Sequence, residues 1–175
     1  MKLIILDHDG VINFDSNIIT TPTEWRPIPG SLEAIAHLNQ VGYRVVVASN
    51  QSCDRKVLDM VAFNAINDKM NKAVSQAGGR IDAVFFSPYS NVKKHDFRKS
   101  LTIMFEEIAE RFGADLKGVP IVGDVLRYLQ AAESVGAVPT LVLTGKGKKI
   151  RTARSLPKST KVFPDLAAVV DTITK

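Results

Sequence analysis

Leu3-Ile4-Ile5-Leu6-Asp7-His8-Asp9-Gly10-Val11-Ile12-Asn13 carries four apolar residues straight into two carboxylates one residue apart, and then into a glycine. A short apolar run closed by a turn residue reads as a strand covered on both faces, as in the interior of a parallel sheet. Ligands of open α/β sheets collect beyond the carboxyl ends of the strands, where Asp7 and Asp9 fall. Alternation along an extended chain lets these two side chains face one pocket while His8 points elsewhere. Carboxylates sharing a pocket repel, and a divalent cation or a retained proton relieves them. Taken alone, the segment is equally an ordinary strand end with an Asp-Gly turn.

Working outward, β-like runs alternate with helical patterns, the signature of a parallel sheet covered by helices. Residues 13–29 carry Pro22, Pro27, Pro29 and Trp25 and read as an ordered excursion above the sheet. Gly30-Ser31 opens a helix through about Gln40, and Arg44 to Ser49 is a second buried strand. A long helix follows from about Asp54 to Gln76, with Ala62, Ile66, Met70, Ala73 and Ala77 as its inner stripe and Gly78-Gly79 as its stop. Ile81 to Phe86 is a third strand, and Ser87 to Ser100, polar and without periodicity, is a loop. Leu101, Met104, Phe105, Ile108 and Phe112 define the next amphipathic helix. Strands at Val119–Gly123 and Val138–Leu143 flank a helix from Leu126 to Val135, and Val162-Phe163 with a helix from Leu166 to Ile173 completes the pattern. The expected fold is a three-layer α/β/α sandwich with a central parallel sheet and right-handed crossovers, one domain over residues 1–175.

Composition narrows the function classes. The chain is 45% hydrophobic and 23% charged, with no apolar run of membrane-spanning length, and the first strand begins at once, so a cytoplasmic protein without a signal peptide is expected. A lone cysteine, Cys53, excludes an intramolecular disulfide framework and a multi-cysteine metal site. The net charge of +5 favours anionic partners. Much of it lies between Lys146 and Lys161, a stretch broken by Gly145, Gly147 and Pro157 and without interleaved aromatics to stack bases, so a solvated loop is expected and not a nucleic-acid surface.

Other strand ends also gather polar groups. The second ends in Ser49-Asn50-Gln51-Ser52, the third leads into Arg98-Lys99, and the fourth ends in Gly123-Asp124. Three carboxylates, a hydroxyl with an amide, and a cation are the parts needed for phosphoryl transfer through an aspartyl phosphate. Magnesium would mask the repulsion between carboxylate and phosphate, while Lys99, Ser49 and Asn50 would stabilise charge on the equatorial oxygens. A second carboxylate just beyond the nucleophile is placed to protonate the leaving alkoxide and later to activate water.

The order Asp7-His8-Asp9-Gly10-Val11, Ser49-Asn50, Lys99 and Gly123-Asp124 resembles the four motifs of the haloacid dehalogenase (HAD) superfamily. Asp-x-Asp-Gly-Val-Ile-Asn, Glu24-Trp25, Pro29-Gly30-Ser31, Ser49-Asn50-Gln51-Ser52, Arg98-Lys99 and Leu129-Gln130-Ala131-Ala132 are similar to the D-glycero-D-manno-heptose 1,7-bisphosphate phosphatases, relatives of the histidinol-phosphate phosphatases. The resemblance covers nearly the whole chain. It implies a HAD-like sheet without a large cap domain and a magnesium-dependent phosphomonoesterase acting on a small sugar phosphate, with heptose 1,7-bisphosphate losing its 7-phosphate on the way to lipopolysaccharide sugars. Histidinol phosphate or another phosphomonoester is the alternative substrate, and a non-catalytic ligand-binding descendant the alternative role. The resemblance also implies Asp7 as nucleophile and metal ligand, and Asp9 as acid and base with a metal contact through its carbonyl. Ser49 and Asn50 would hold the phosphoryl group with Lys99, Asp124 would complete the metal ligands, and Arg98, Gln51 and Ser52 would recognise the uncleaved part of the substrate. A monomer is expected.

The chain departs from the family at several points. The family's structural zinc uses three cysteines and a histidine; Ser87, Tyr89, His95 and Phe97 stand at the matching positions, so no zinc is expected. Cys53 replaces a glycine, Ser100 replaces a proline, and Tyr128 stands where the family has a second aspartate supporting the metal. His8 occupies a position where the family often has arginine, and a structural or supporting role is expected of it.

Overall fold

The computed structural model describes residues 1–15, 21–49, 60–86 and 97–175. Asn50, Gln51, Ser52 and Cys53, together with Ser87, Tyr89 and His95, lie outside the described residues, as do the side chains of Phe97 and Arg98.

The opening apolar run forms β1 (Lys2–Leu6) in the middle of a parallel sheet. With β2 (Tyr43–Ser49), β3 (Ala83–Phe86), β4 (Pro120–Gly123), β5 (Val138–Val142) and β6 (Lys161–Phe163), the strand order is β3-β2-β1-β4-β5-β6 and every neighbouring pair is parallel. Burial on both faces accounts for the continuous hydrophobicity of β1: Ile4 and Leu6 enter one core, Leu3 and Ile5 the other. The first core is closed by α1 (Ser31–Gln40), α2 (described over Met60–Gln76) and α6 (Leu166–Ile173), with Trp25 packed among them. The second is closed by α3 (Phe97–Phe112) and α4 (Leu126–Ser134). The expected sandwich is therefore present, and strand order reverses between β1 and β4, the switch point where such sheets bind ligands. Among the described residues no helix is long and apolar enough to cross a membrane.

Two helices and one strand depart from expectation by more than a single end residue, for physical reasons. α3 begins at Phe97, so Arg98, Lys99 and Ser100 belong to a helix; Lys99 is exposed in its first turn, which hid the amphipathic period in polar sequence. The inner stripe of α2 is Phe63, Ile66, Met70 and Val74, one step from the alanines, because the larger side chains fill the core. β3 starts at Ala83, since the Asp82 carboxylate takes the place of a ladder partner: its Oδ2 accepts from Val45 N–H at 2.8 Å, and Asp82 N–H donates to Val45 O at 2.8 Å. Burial opposes ionisation of Asp82, but the Val45 N–H and the Arg44 and Arg80 guanidiniums outweigh it and hold the carboxyl below its ordinary value. A single turn of helix, α5 (Gly147–Ile150), lies within the basic stretch, where Lys148, Lys149, Arg151, Arg154 and Lys158 are exposed as expected.

Candidate active site

Asp7 leaves β1 with its N–H donating to Val122 O on β4, at 2.9 Å, which fixes it at the switch point. The chain then folds back on itself: Ile12 N–H donates to His8 O at 3.0 Å and Gly10 N–H to Asn13 O at 2.9 Å. Gly10 has φ of +77°, a conformation that glycine adopts without steric cost. Ser31 Oγ, at the start of α1, donates to Val11 O at 2.8 Å and ties this turn to the helix. The turn carries Asp9, whose Oδ1 accepts from the fully buried Asn13 through Nδ2 at 3.1 Å. His8 N–H donates to Asp7 Oδ1 at 2.8 Å and sets the rotation of that carboxylate.

Asp124 follows β4 and reaches back across the turn. Its side chain occupies the gap between Gly10 and Gly145, where a methyl group on either glycine would overlap Oδ2. Lys146 N–H, just after β5, donates to the same oxygen at 2.8 Å. Thr144 Oγ1 donates to Gly10 O at 2.6 Å, and Lys146 Nζ lies 3.4 Å from Asp15 Oδ2. The segments after β1, β4 and β5 are thus interlocked around one carboxylate.

These carboxylates stand in a poorly solvated place and feel each other. Burial, then the charges of Asp124 and Asp9, push the Asp7 carboxyl well above its ordinary value, against the His8 N–H and the Arg127 guanidinium. Burial chiefly pushes Asp124 up to about 6, with the Lys146 N–H opposing and Asp15 and Asp9 adding to the rise. Ser49, at the end of β2, is buried with no hydrogen-bond partner for Oγ among the described residues. A buried hydroxyl in that condition suits a ligand oxygen.

Tyr128 fills the space below this group. It is fully buried, donates from its hydroxyl to Ala48 O at 3.0 Å and meets Phe105 edge-on at 5.2 Å between ring centroids. Burial, then the nearby charges of Asp7 and Asp124, raise its phenol well above the ordinary value and keep it protonated. The bond to Ala48 links α4 to the residue before Ser49.

Asp7, Asp9, Asp124 and Ser49 therefore gather at the carboxyl ends of three adjacent strands, β2, β1 and β4. Lys99 forms no ion pair with them among the described residues, and Arg98 contributes only its helical backbone to the description. Sequence reasoning placed Gly145 and Lys146 only in a solvated basic stretch and gave no site role to them, to Thr144 or to Trp25; their contacts with the turn are long-range.

Among the described residues no trio of His, Cys, Asp and Glu side chains forms a ready metal cage. An all-oxygen set of two buried carboxylates with raised pKa values nonetheless suits magnesium, which takes one or two carboxylates and fills its octahedron with water and substrate phosphate. Asp7, Asp124 and the Asp9 carbonyl would hold it.

Comparison with known proteins agrees with this chemistry. A HAD-hydrolase-like family model matches residues 96–169. The chain is 49% identical over 173 residues to D-glycero-beta-D-manno-heptose-1,7-bisphosphate 7-phosphatase of Bordetella bronchiseptica, covering 98% of this chain and 97% of that one. It is 45% identical to the protein of the same name in Neisseria meningitidis, covering 95% of this chain and 91% of the other. Its structure is similar to the crystal structure of the B. bronchiseptica D,D-heptose 1,7-bisphosphate phosphatase complexed with magnesium and phosphate, with a TM-score of 0.90 at 45% identity, over 99% of this chain and 98% of that one.

Proposed function

Because the chain belongs to the D-glycero-beta-D-manno-heptose-1,7-bisphosphate 7-phosphatase family of HAD-like hydrolases, we propose that it removes the 7-phosphate of heptose 1,7-bisphosphate in the cytoplasm through an aspartyl phosphate. The observation that carries this reading is the convergence of Asp7, Asp9 and Asp124 at the β1/β4 switch point, with the Ser49 hydroxyl, which has no hydrogen-bond partner among the described residues, at the end of the adjacent strand.

Magnesium, when bound, supplies positive charge that masks the repulsion between Asp7 and an incoming phosphate and lowers the proton affinity of both carboxyls. Asp7 is the nucleophile: its backbone is anchored to β4 and its Oδ1 to His8 N–H, so the carboxylate is oriented before substrate arrives. A carboxylate oxygen of Asp7 bonds to phosphorus as the sugar oxygen departs, and Asp9 gives that oxygen its proton. Asp9 then takes a proton from the water that attacks the aspartyl phosphate, and Asp7 and Asp9 return to their starting states. Ser49 Oγ donates to a phosphoryl oxygen, Asn50 and Lys99 complete that cradle, and Arg98, Gln51 and Ser52 meet the remaining phosphate and hydroxyls.

Phosphate release from heptose 1,7-bisphosphate, with magnesium and then with chelator, tests this function beside a panel that includes histidinol phosphate. Asp7→Asn should lower turnover by at least about a thousandfold. Turnover unchanged in that variant, or indifferent to magnesium, refutes the mechanism, and preference for another phosphomonoester refutes the substrate.

A further inference from the structure

Ser49 is the last residue of β2, and the sheet supports it on one side only. β1 pairs with β2 as far as Leu6 opposite Val47, whereas β3 continues, with Phe85 opposite Ala48 and Phe86 opposite Ser49. A further hold comes from Tyr128 of α4, 80 residues along the chain, whose hydroxyl donates to Ala48 O at 3.0 Å. The Ala48 carbonyl and the Ser49 α-carbon belong to one planar peptide unit, so a bond that fixes the carbonyl fixes the base from which Ser49 Oγ projects. Packing aims the phenol. Its ring meets Phe105 of α3 edge-on at 5.2 Å, and it fills the space that Gly123 leaves open, where a β-carbon would fall 2.6 Å from Tyr128 Cδ1. Tyr128 thus has two separable contacts with the site: its ring supports β4 just before Asp124, and its hydroxyl holds β2 just before Ser49.

We propose that Tyr128 is a positioning residue for phosphoryl binding: through Ala48 O its hydroxyl sets the direction in which Ser49 Oγ meets a phosphoryl oxygen, separately from the carboxylates that would hold the metal. Ser49 Oγ is buried and has no hydrogen-bond partner among the described residues, so among them the backbone sets its direction. Hydrogen bonds weaken steeply as their angle closes. A swing of the Ala48–Ser49 peptide plane is therefore felt at the phosphoryl oxygen, although Tyr128 does not touch it. Deleting the hydroxyl while keeping the ring should disturb the phosphoryl side of the site and leave the Asp124 side in place. This inference rests on Ser49 being a phosphoryl ligand of the proposed phosphatase.

The test is a pair of calorimetric titrations of the full chain, with magnesium alone and then with inorganic phosphate added to magnesium-saturated protein. Tyr128→Phe should weaken phosphate binding by about three- to tenfold and leave magnesium binding within about twofold. A double-mutant cycle then asks whether the effect runs through Ser49. Ser49→Ala should weaken phosphate binding by itself, and adding Tyr128→Phe to it should change the affinity by less than about twofold. A tyrosine that served stability alone would lower Tm and leave phosphate affinity where it was. Phe105→Leu frees the ring to tilt with its hydroxyl retained; it should shift phosphate affinity in the same direction and stands in should Tyr128→Phe fail to fold. Unchanged phosphate affinity, an equal loss for magnesium in Tyr128→Phe, or the same loss with and without Ser49 would overturn the proposal. Weaker phosphate binding in Ser49→Ala without any in Tyr128→Phe removes this inference alone, while no loss in Ser49→Ala removes the role of Ser49 with it.

Discussion

Metal-free protein should lose stability as the solution is made less acidic, opposite to the behaviour of a protein held together by carboxylate ion pairs. The Asp124 carboxyl, with an ordinary value of 3.8, is pushed up to about 6 by burial in the native state. The folded protein therefore holds a proton through this interval that the unfolded chain has already released, and stability falls as pH rises from the unfolded value through the folded one. Linkage gives on the order of 3 kcal/mol over the whole interval and roughly half of that between pH 5 and pH 7.5 for this one group. Asp7, raised in the same direction, adds to the effect. Asp82 has the opposite sign, but its carboxyl is lowered from 3.8, so its contribution is lost only in more acidic solution. For a chain of 175 residues the Asp124 share corresponds to a fall in Tm of about 3–6 °C, read by thermal denaturation in chelator. Magnesium, if held by the deprotonated Asp7 and Asp124 as proposed, should reverse the slope and contribute about 2.7 kcal/mol at a hundredfold excess over Kd near neutral pH. A Tm that stays level or rises from pH 5 to 7.5 without metal would refute the reasoning. A slope undiminished in the Asp7→Asn/Asp124→Asn double variant would do the same.

Two further outcomes follow from the packing. Gly145→Ala places a methyl group into the Asp124 carboxylate at a residue with φ of +56°, so it should cost about 1–2 kcal/mol from the backbone alone and weaken magnesium binding as Asp124 is displaced; a melt and a calorimetric magnesium titration measure both. Tyr128→Phe leaves Ala48 O without its donor and should cost about 1–3 kcal/mol in urea denaturation with the fold retained.

The sheet and the candidate site at its carboxyl ends were legible because their signals are local. The run from Leu3 to Leu6 is apolar without a break since β1 is covered on both faces, and Gly123-Asp124 ends a similar run in β4. The start of α3 was hidden because its first turn has Lys99 exposed, and α5 is too short for any period to show. What holds the site together could not be read in this way. His8 and Trp25 are 17 residues apart, and Asp124 and Lys146 are 22 apart. Such pairs form only once the strands are in order, and no spacing rule marks them. Expectations for Asn50, Gln51, Ser52, Cys53 and the residues opposite the family's zinc ligands fall outside the described residues.

The seat of Asp124 between Gly10 and Gly145 also bears on how this chain can be recombined. The β5 segment looks like a separate module, since Val138–Val142 and the turn after it are contiguous and end beside the pocket. It is not separable. A hybrid joined anywhere between Asp124 and Thr144 takes its aspartate from one parent and the glycine and amide that seat it from the other. Parents that differ by a side chain at either glycine would yield offspring with every strand intact and a displaced carboxylate. Exchanges meant to alter specificity through the β5 turn therefore have to carry Gly10, Asp124 and Thr144-Gly145-Lys146 as one inherited unit.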